Sequence, residues 1–295
     1  MQEIPVIDFS SFENDQSTCA QKIKSASESV GFFYLRNHGI PDTMINEMFS
    51  LSQRYFNHPI NEKILHEINE ENQGYSRMHQ EILDPKNQKI GDFKEAFNFG
   101  KIINGKPSQI LPPIFQENME LLSSFEQASN KFIQSLASSI QLPLSECHNL
   151  CLKVLQTFAI ALEIPESEGG KNWFESRHSY DRKSGDTLRI LHYPPMKTFD
   201  SEEMIPPIIP GCILINLGDL LEFWTKGLLK STKHRVVFRS DTCKSDRYSI
   251  AYFCHAVDDV PLIPIPSNSL AINAGSRRIG ANDSGNDGNV ITAVR

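Results

Sequence analysis

The stretch from residue 211 to residue 255 constrains the fold most, because short apolar runs alternate there with turn residues. The breaks between runs are marked by Gly218-Asp219, Lys226-Gly227 and Lys244-Ser245-Asp246. Short apolar segments at regular spacing, each bounded by turn residues, are typical of the strands of a sandwich or jelly roll. The sequence therefore predicts four strands, which span Ile213–Leu217, Leu220–Trp224, His234–Phe238 and Arg247–Cys254.

Two of these predicted strands begin with residues that carry recognisable chemistry. His234 opens the third strand, and imidazole is a good ligand for divalent metals such as Fe(II). The fourth strand begins Arg247-Tyr248-Ser249, and the two-residue period of a strand places Arg247 and Ser249 on one face. A guanidinium beside a hydroxyl can hold a carboxylate through several hydrogen bonds. The alternative is a surface arginine on an edge strand, and the local pattern leaves both interpretations open.

The surrounding sequence resembles that of a known family. The motifs GDLLEFWTKGLLKSTKHRVV and DRYSIAYFCH are similar to the C-terminal half of the Fe(II)/2-oxoglutarate-dependent dioxygenases, in the branch of isopenicillin N synthase and the flavonoid and gibberellin oxidases. Near the N-terminus, IPVIDFSSF and GFFYLRNHGIP resemble the segment that precedes the catalytic barrel of that family. The resemblance covers most of residues 3–265. It implies a cofactor, Fe(II), and a cosubstrate, 2-oxoglutarate, which together activate O2.

The resemblance also implies roles for individual residues. His234 matches the distal iron ligand of the family, and Arg247 and Ser249 match the pair that binds the distal carboxylate of 2-oxoglutarate. The segment RILHYPP, Arg189–Pro195, resembles the first barrel strand. In that strand Tyr193 is expected to lie against the cosubstrate.

The segment that carries the other two iron ligands in the family has no counterpart in this sequence. In the family a strand with a His-x-Asp motif lies between the YPP motif and the GxxLxNxGD motif. Only seventeen residues, Pro194 to Pro210, separate these motifs here, and five of them are proline. Strands average about five or six residues and tolerate proline poorly, so this gap holds one strand at most. No His-x-Asp occurs anywhere in the chain, and we expect an impaired iron site.

Two other histidines are weaker candidates for metal ligands. His79-Gln80-Glu81 pairs an imidazole with a carboxylate, but it lies far upstream of the barrel and is interpreted as a solvated coincidence. His192 faces away from Tyr193 by strand alternation. It is interpreted as a core histidine rather than a ligand.

The expected fold class is α+β, with an incomplete double-stranded β-helix (jelly roll) core, flanking helices and an N-terminal αβ segment. We predict a dioxygenase-type segment over 1–105, a helical segment over 106–170, and a partial jelly-roll 2-oxoglutarate/Fe(II) oxygenase domain over 171–265. Residues 266–295 are rich in Gly, Asn, Ser and Asp without periodicity, which predicts a disordered tail. Residues 129–146 have no recognisable counterpart in the family.

Composition excludes several kinds of partner. The net charge of −7 provides no basic footprint for nucleic acid or an anionic membrane. No apolar run is long enough to cross a bilayer, and the first residues do not form a signal peptide. The six cysteines show no paired spacing, which predicts free thiols in the cytoplasm. We expect either a monomer or an aggregation-prone chain. Aggregation would follow because missing strands leave backbone N–H and C=O groups of the remaining strands unpaired.

Two hypotheses about function follow. In the first, the chain is an oxidoreductase whose complete form uses Fe(II) and 2-oxoglutarate to oxidise a small-molecule substrate, with iron binding impaired in this chain. In the second, it is a catalytically inactive relic or isoform that acts at most as a weak 2-oxoglutarate or protein-binding module. The missing His-x-Asp segment is the feature that separates them.

Overall fold

A computed structural model describes residues 3–82, 91–126, 146–195, 209–234 and 244–267. The helices of this part of the chain are α1 (Gln16–Ser29), α2 (Asp42–Phe56), α3 (Ile60–Lys63), α4 (Pro113–Gln116), α5 (Met119–Glu126), α6 (Glu146–Ala161) and α7 (Asp219–Trp224). The strands are β1 (Val6–Asp8), β2 (Phe32–Arg36), β3 (Gly74–Ser76), β4 (Glu95–Phe99), β5 (Ile102–Ile103), β6 (Lys106–Pro107), β7 (Thr187–Tyr193), β8 (Cys212–Asn216) and β9 (Arg247–Phe253).

The first sheet, sheet A, has the strand order β1-β2-β8. Its centre is β2, which is parallel to β1 and antiparallel to β8. Gly31 makes the entry into β2 possible, because its φ is +78° and a Cβ there would lie 2.4 Å from the carbonyl oxygen of Lys230. Phe33 and Leu35 of β2 are fully buried. Sheet A thus joins the N-terminal segment to the GCILIN segment, far along the sequence.

The second sheet, sheet B, has the order β3-β4-β7-β9, with every pair antiparallel. One face of sheet B carries Phe97 and Ile190 and packs on α2. The opposite face carries Leu191, Tyr193 and Ser249, which alternate with the core residues along β7 and β9. A third, two-stranded sheet pairs β5 with β6. The turn between these two strands is Asn104-Gly105, both with positive φ, as short hairpins favour.

The helices are placed by their apolar faces. In α1 the Asp15 side chain accepts a hydrogen bond from the Thr18 backbone N–H at 3.1 Å, so Asp15 is the N-cap. In α2 the face that carries Met44, Met48, Leu51 and Tyr55 is buried. α1 packs against α6, and the main hydrophobic core lies between these helices and the two large sheets. No helix of the described residues is both long and apolar enough to span a membrane.

The strand predictions for residues 211–255 are confirmed in two of four places. The runs at Ile213 and Arg247 form β8 and β9. The prediction of a strand over Leu220–Trp224 is wrong, since that run forms α7 after Gly218. The run has four apolar residues and one glutamate, with neither a clear strand period nor a clear helix period. A short apolar run of this kind can form a strand or a helix, and tertiary contacts decide between the two. All of the third run after His234 lies outside the described residues. Most of residues 129–146 and residues 268–295 also lie outside them.

Candidate functional site

Three of the four sequence-predicted site residues lie on one face of sheet B. β7 and β9 are paired so that Tyr193 lies opposite Arg247 and Leu191 lies opposite Ser249. Since successive side chains on a strand alternate between faces, Tyr193, Arg247 and Ser249 share one face. The structure therefore brings the YPP tyrosine next to the Arg-x-Ser pair, although more than fifty residues separate them in the sequence.

Arg247 is stacked over the ring of Tyr193. The guanidinium carbon lies 5.0 Å from the ring centroid, within the range of a cation–π contact. Tyr193 is buried, at 5% exposure, whereas Arg247 is exposed. Among the residues that the structure describes, Arg247 makes no ion pair with a carboxylate. A guanidinium that lies over a buried aromatic ring and has no carboxylate partner among the described residues can accept an anionic ligand.

Further charges border this pair. Lys94 Nζ lies 2.5 Å from Asp92 Oδ2 and 3.3 Å from Glu81 Oε2. Arg189 forms an ion pair with Glu81. Burial raises the pKa of the Tyr193 hydroxyl, although the positive charges of Lys94, Arg247 and Arg189 act in the opposite direction. Lys94 and Arg189 have carboxylate partners. Of these three cations, Arg247 is therefore the one without a carboxylate partner among the described residues, and it can bind a ligand.

His234 does not lie with this group. Its ring packs edge-on against Phe32 of β2, with ring centroids 5.1 Å apart, and its Nδ1 lies 3.0 Å from the carbonyl oxygen of Thr232. The side chain is exposed beside sheet A. Within the described part of the chain, no contact joins His234 to Arg247, Ser249 or Tyr193. The contacts of His234 in the described structure are therefore with Phe32 and Thr232 and not with the residues predicted to hold the cosubstrate.

The weaker histidine candidates have structural partners. His192 lies on the core face of sheet B, with Nδ1 2.8 Å from Glu95 Oε1 and Nε2 2.6 Å from Asp246 Oδ1. His79 has its Nδ1 2.8 Å from the carbonyl oxygen of Gly91. Glu81 is not solvated as predicted, because it pairs with Lys94 and Arg189. These contacts support the interpretation of His192 as a core residue.

The described residues do not assemble a facial triad around His234. Such a site needs two histidines and a carboxylate that converge on one metal. All nine histidines of the chain lie within the described residues. In that part of the structure, one group of three His, Cys, Asp or Glu side chains has its ligand atoms close together, and it consists of His148, Asp186 and Cys254. It does not include His234, so the residues present do not fit the iron site that the resemblance implies.

Sequence reasoning missed several residues that border the Arg247 site. Arg189 could have been found, since the alternation along RILHY places it on the same face as Tyr193. Lys94 and Glu81 carry no local signal, because their position depends on how β4 and the preceding loop pack onto β7. The group of His148, Asp186 and Cys254 was missed for the same reason.

Two family models match the chain. The model described as the N-terminal domain of non-haem dioxygenases in morphine synthesis matches residues 4–118. The model of the 2OG-Fe(II) oxygenase superfamily matches residues 182–256. The second match contains Tyr193, His234, Arg247 and Ser249.

Individual proteins are similar over most of their length. UPF0676 protein C1494.01 of Schizosaccharomyces pombe is 29% identical over 303 residues, covering 89% of this chain and 85% of that protein. A 1-aminocyclopropane-1-carboxylate oxidase of Dictyostelium discoideum is 24% identical over 332 residues, with 90% and 85% covered. The crystal structure of a 2OG-Fe(II) oxygenase family protein of Caulobacter crescentus superposes with a TM-score of 0.69 at 20% identity, covering 99% of this chain and 96% of that one. That structure supports the fold, a mixture of helices and antiparallel sheets of the oxygenase jelly-roll type.

Proposed function

Because the chain belongs to the 2-oxoglutarate/Fe(II) oxygenase superfamily, we propose that Arg247, Ser249 and Tyr193 form its binding site for 2-oxoglutarate. The family takes its name from Fe(II) and 2-oxoglutarate, its cofactor and cosubstrate, and it oxidises small molecules. In our proposal this chain keeps the dicarboxylate-binding part of that activity. Oxidation of a small-molecule substrate belongs to a form with a complete iron site.

The single observation that carries the proposal is the guanidinium of Arg247. It is stacked on Tyr193, shares a strand face with Ser249, and has no carboxylate partner among the described residues. The stack restricts the side chain, so less conformational entropy is lost when a ligand binds. Arg247 would hold one carboxylate of the ligand through two parallel hydrogen bonds, and the Ser249 hydroxyl would donate a third.

We further propose that iron binding in this chain is impaired and that its jelly roll is incomplete. A His-x-Asp motif is missing from the sequence, and His234 is exposed beside Phe32 of β2. β8 lies at an edge of sheet A as far as the structure describes that sheet, where the complete family core has further strands. The residues present do not fit the metal.

The test is a calorimetric titration of the full-length chain with 2-oxoglutarate. Loss of a charge-assisted pair costs about 1.5–3 kcal/mol, so we expect Arg247→Ala to weaken binding about tenfold to a hundredfold. Ser249→Ala removes a single hydroxyl and should weaken binding less, by about threefold to tenfold. Arg182→Ala is the matched control, because Arg182 is an exposed arginine that pairs with Asp259.

A second ligand tests which end of the molecule is held. Pyruvate has the keto-acid end but lacks the distal carboxylate that Arg247 is proposed to hold, so it should bind more weakly than 2-oxoglutarate. Glutarate has two carboxylates and should compete with 2-oxoglutarate. Undiminished binding of 2-oxoglutarate to Arg247→Ala, or no binding by the wild type, would overturn the proposal.

A further inference from the structure

A second group of ligand-type side chains lies at the opposite end of β7 and β9 from Tyr193 and Arg247. His148 is on α6, Asp186 precedes β7, and Cys254 follows β9. Their ligand atoms all lie within 4.8 Å of one another. Thr187 pairs with Phe253, so the next residues outward, Asp186 and Cys254, are adjacent across the same two strands. His148 reaches them from the helix that covers this end.

Asp186 presents a carboxylate oxygen that is not hydrogen-bonded. Its side chain is 1% exposed. Oδ1 accepts a hydrogen bond from the His255 backbone N–H at 2.6 Å, whereas Oδ2 is buried without a hydrogen-bond partner. Lys101 Nζ is 3.4 Å from Oδ2, and His148 Nδ1 is 4.0 Å from the same oxygen. A buried acceptor without a hydrogen bond is costly, and a bound cation would satisfy it.

The orientation of His148 is set by neighbours. Its Nδ1 lies 3.2 Å from the Tyr252 hydroxyl, and the ring also hydrogen-bonds to the backbone of His178. The side chain of His148 is 4% exposed. Metal-bound histidines are oriented in this way by outer partners, commonly a backbone carbonyl. Nδ1 of the imidazole is thus near both the Tyr252 hydroxyl and, at 4.0 Å, Asp186 Oδ2, so a metal ion bound to Nδ1 would replace the hydrogen bond with Tyr252.

A fourth donor lies beside the third. The Cys254 thiol hydrogen-bonds to the thiol of Cys151. Cys151 follows His148 by three residues on α6, so both side chains are on the same face of that helix. Neither cysteine is in a disulfide. Cys151 lies outside the group of three whose ligand atoms are within 4.8 Å of one another, so its thiol would have to move closer to His148 and Asp186 to share a ligand with them.

We propose that His148, Asp186 and Cys254 form a structural site for a zinc-type divalent cation, and that the neighbouring Cys151 thiol moves in as the fourth ligand when the cation binds. Thiolate and imidazole ligands suit Zn²⁺, which is four-coordinate in closed structural sites. Binding would convert the two thiols to thiolates and release two protons to solvent. The site is independent of the proposed function, because it contains neither Arg247 nor His234.

The charges of the surroundings agree with this ligand set. Two thiolates, one carboxylate and Zn²⁺ sum to −1, and the ammonium of Lys101 restores neutrality. Lys101 donates hydrogen bonds to the carbonyl oxygens of Tyr180, at 3.0 Å, and Arg182, at 2.6 Å, which hold it outside the ligand set. Without metal, Asp186 and Lys101 balance each other while the thiols are neutral. The buried centre is thus neutral in both states, so metal binding leaves no uncompensated buried charge.

The experiment is an anaerobic titration of the reduced full-length chain with Co²⁺, which replaces Zn²⁺ and gives thiolate charge-transfer and tetrahedral d–d absorption. We expect saturation at one equivalent for the wild type and loss of the thiolate bands in Cys254→Ser. His148→Gln should weaken binding at least tenfold. Cys212→Ser is the control, since Cys212 is a partly buried cysteine on β8 of sheet A, and it should bind like the wild type.

A second measurement covers the case in which a variant does not fold. Alkylation of the wild type is followed by mass spectrometry with and without Zn²⁺, and zinc should protect Cys151 and Cys254 but not Cys212. Absence of thiolate bands in the wild type, or equal alkylation of all three cysteines in both states, would overturn the site. Bands that persist in Cys151→Ser but not in Cys254→Ser would confine it to the three residues and contradict the role of Cys151.

Discussion

Nδ1 of His192 lies 2.8 Å from Oε1 of Glu95, across the pair of strands β7 and β4. Glu95 is also the acceptor for Lys63 Nζ at 2.7 Å and for the Tyr75 hydroxyl. Asp246 approaches the other nitrogen of His192, and the ring is stacked on Tyr248 with centroids 4.8 Å apart. This network occupies the face of sheet B opposite to Arg247. Because these groups form ion pairs, the stability of the fold depends on pH and on the presence of each charged side chain of the network.

We expect stability to fall as the pH rises above 6.5, because the pKa of His192 is raised in the folded state and because burial raises the pKa of the Glu126 carboxyl to about 8. Burial by itself lowers the pKa of His192, but the hydrogen bonds with Glu95 and Asp246 prevail and raise it above the ordinary value of 6.5. A raised pKa in the folded state gives stability that is complete below the unfolded value and is lost as pH passes the folded value. His38, His148 and His178 have lowered pKa values, so their contributions change below 6.5.

Urea denaturation at several pH values measures this dependence. The fall in unfolding free energy over that interval should be smaller in His192→Gln, because the glutamine amide can still form hydrogen bonds but does not titrate. A slope that is unchanged in His192→Gln would assign the pH dependence to another group.

Glu95→Gln is expected to destabilise the fold by about 3–5 kcal/mol. Lys63 is 6% exposed and Glu95 is 7% exposed, so the substitution leaves a buried ammonium without its carboxylate. Glu13→Gln breaks an exposed pair with Lys153 and should cost less than about 1 kcal/mol. Urea denaturation near pH 6 measures both. Equal effects of the two substitutions would contradict the buried pair, whereas partial recovery in a Lys63→Met, Glu95→Leu double variant would support it.

Phe115→Ala should cost about 3–5 kcal/mol of unfolding free energy. Phe115 is fully buried, and its ring centroid lies 4.5 Å from that of Tyr55, 4.9 Å from that of Phe97 and 4.7 Å from that of Phe99. Truncation removes a ring from the centre of this aromatic cluster and leaves a cavity. Phe49→Ala, at a phenylalanine that is 37% exposed, should have a much smaller effect. Thermal and urea unfolding of the two variants compare them directly.

Anaerobic addition of Fe(II) and 2-oxoglutarate should not give a stoichiometric metal-to-ligand charge-transfer band. That band needs iron held by converging protein ligands, and His234 lies beside Phe32, away from Arg247. His234→Ala should therefore have the same weak spectrum as the wild type. A one-to-one band that disappears in His234→Ala would show that a substitute ligand set exists and that the iron site is not impaired.

The sequence by itself determined the local elements and the chemistry they carry. Apolar alternation and flanking turn residues predicted β8 and β9, and the pleat of a strand is enough to place Arg247 and Ser249 on one face. The motifs around them indicated the family, which the two family models confirm. The strand and face predictions depend on residues within about ten positions of one another, where local backbone geometry dominates. The family was indicated by motifs spread along most of the chain.

Only the tertiary structure decided which residues from distant parts of the sequence lie close together. The stack of Arg247 on Tyr193 follows from the antiparallel register of β7 and β9, and the exposed position of His234 follows from its packing on β2. The approach of His148 to Cys254 joins positions more than a hundred residues apart. Register and helix docking are set by burial of apolar faces shared between distant segments, and a local sequence pattern carries no information about the partner.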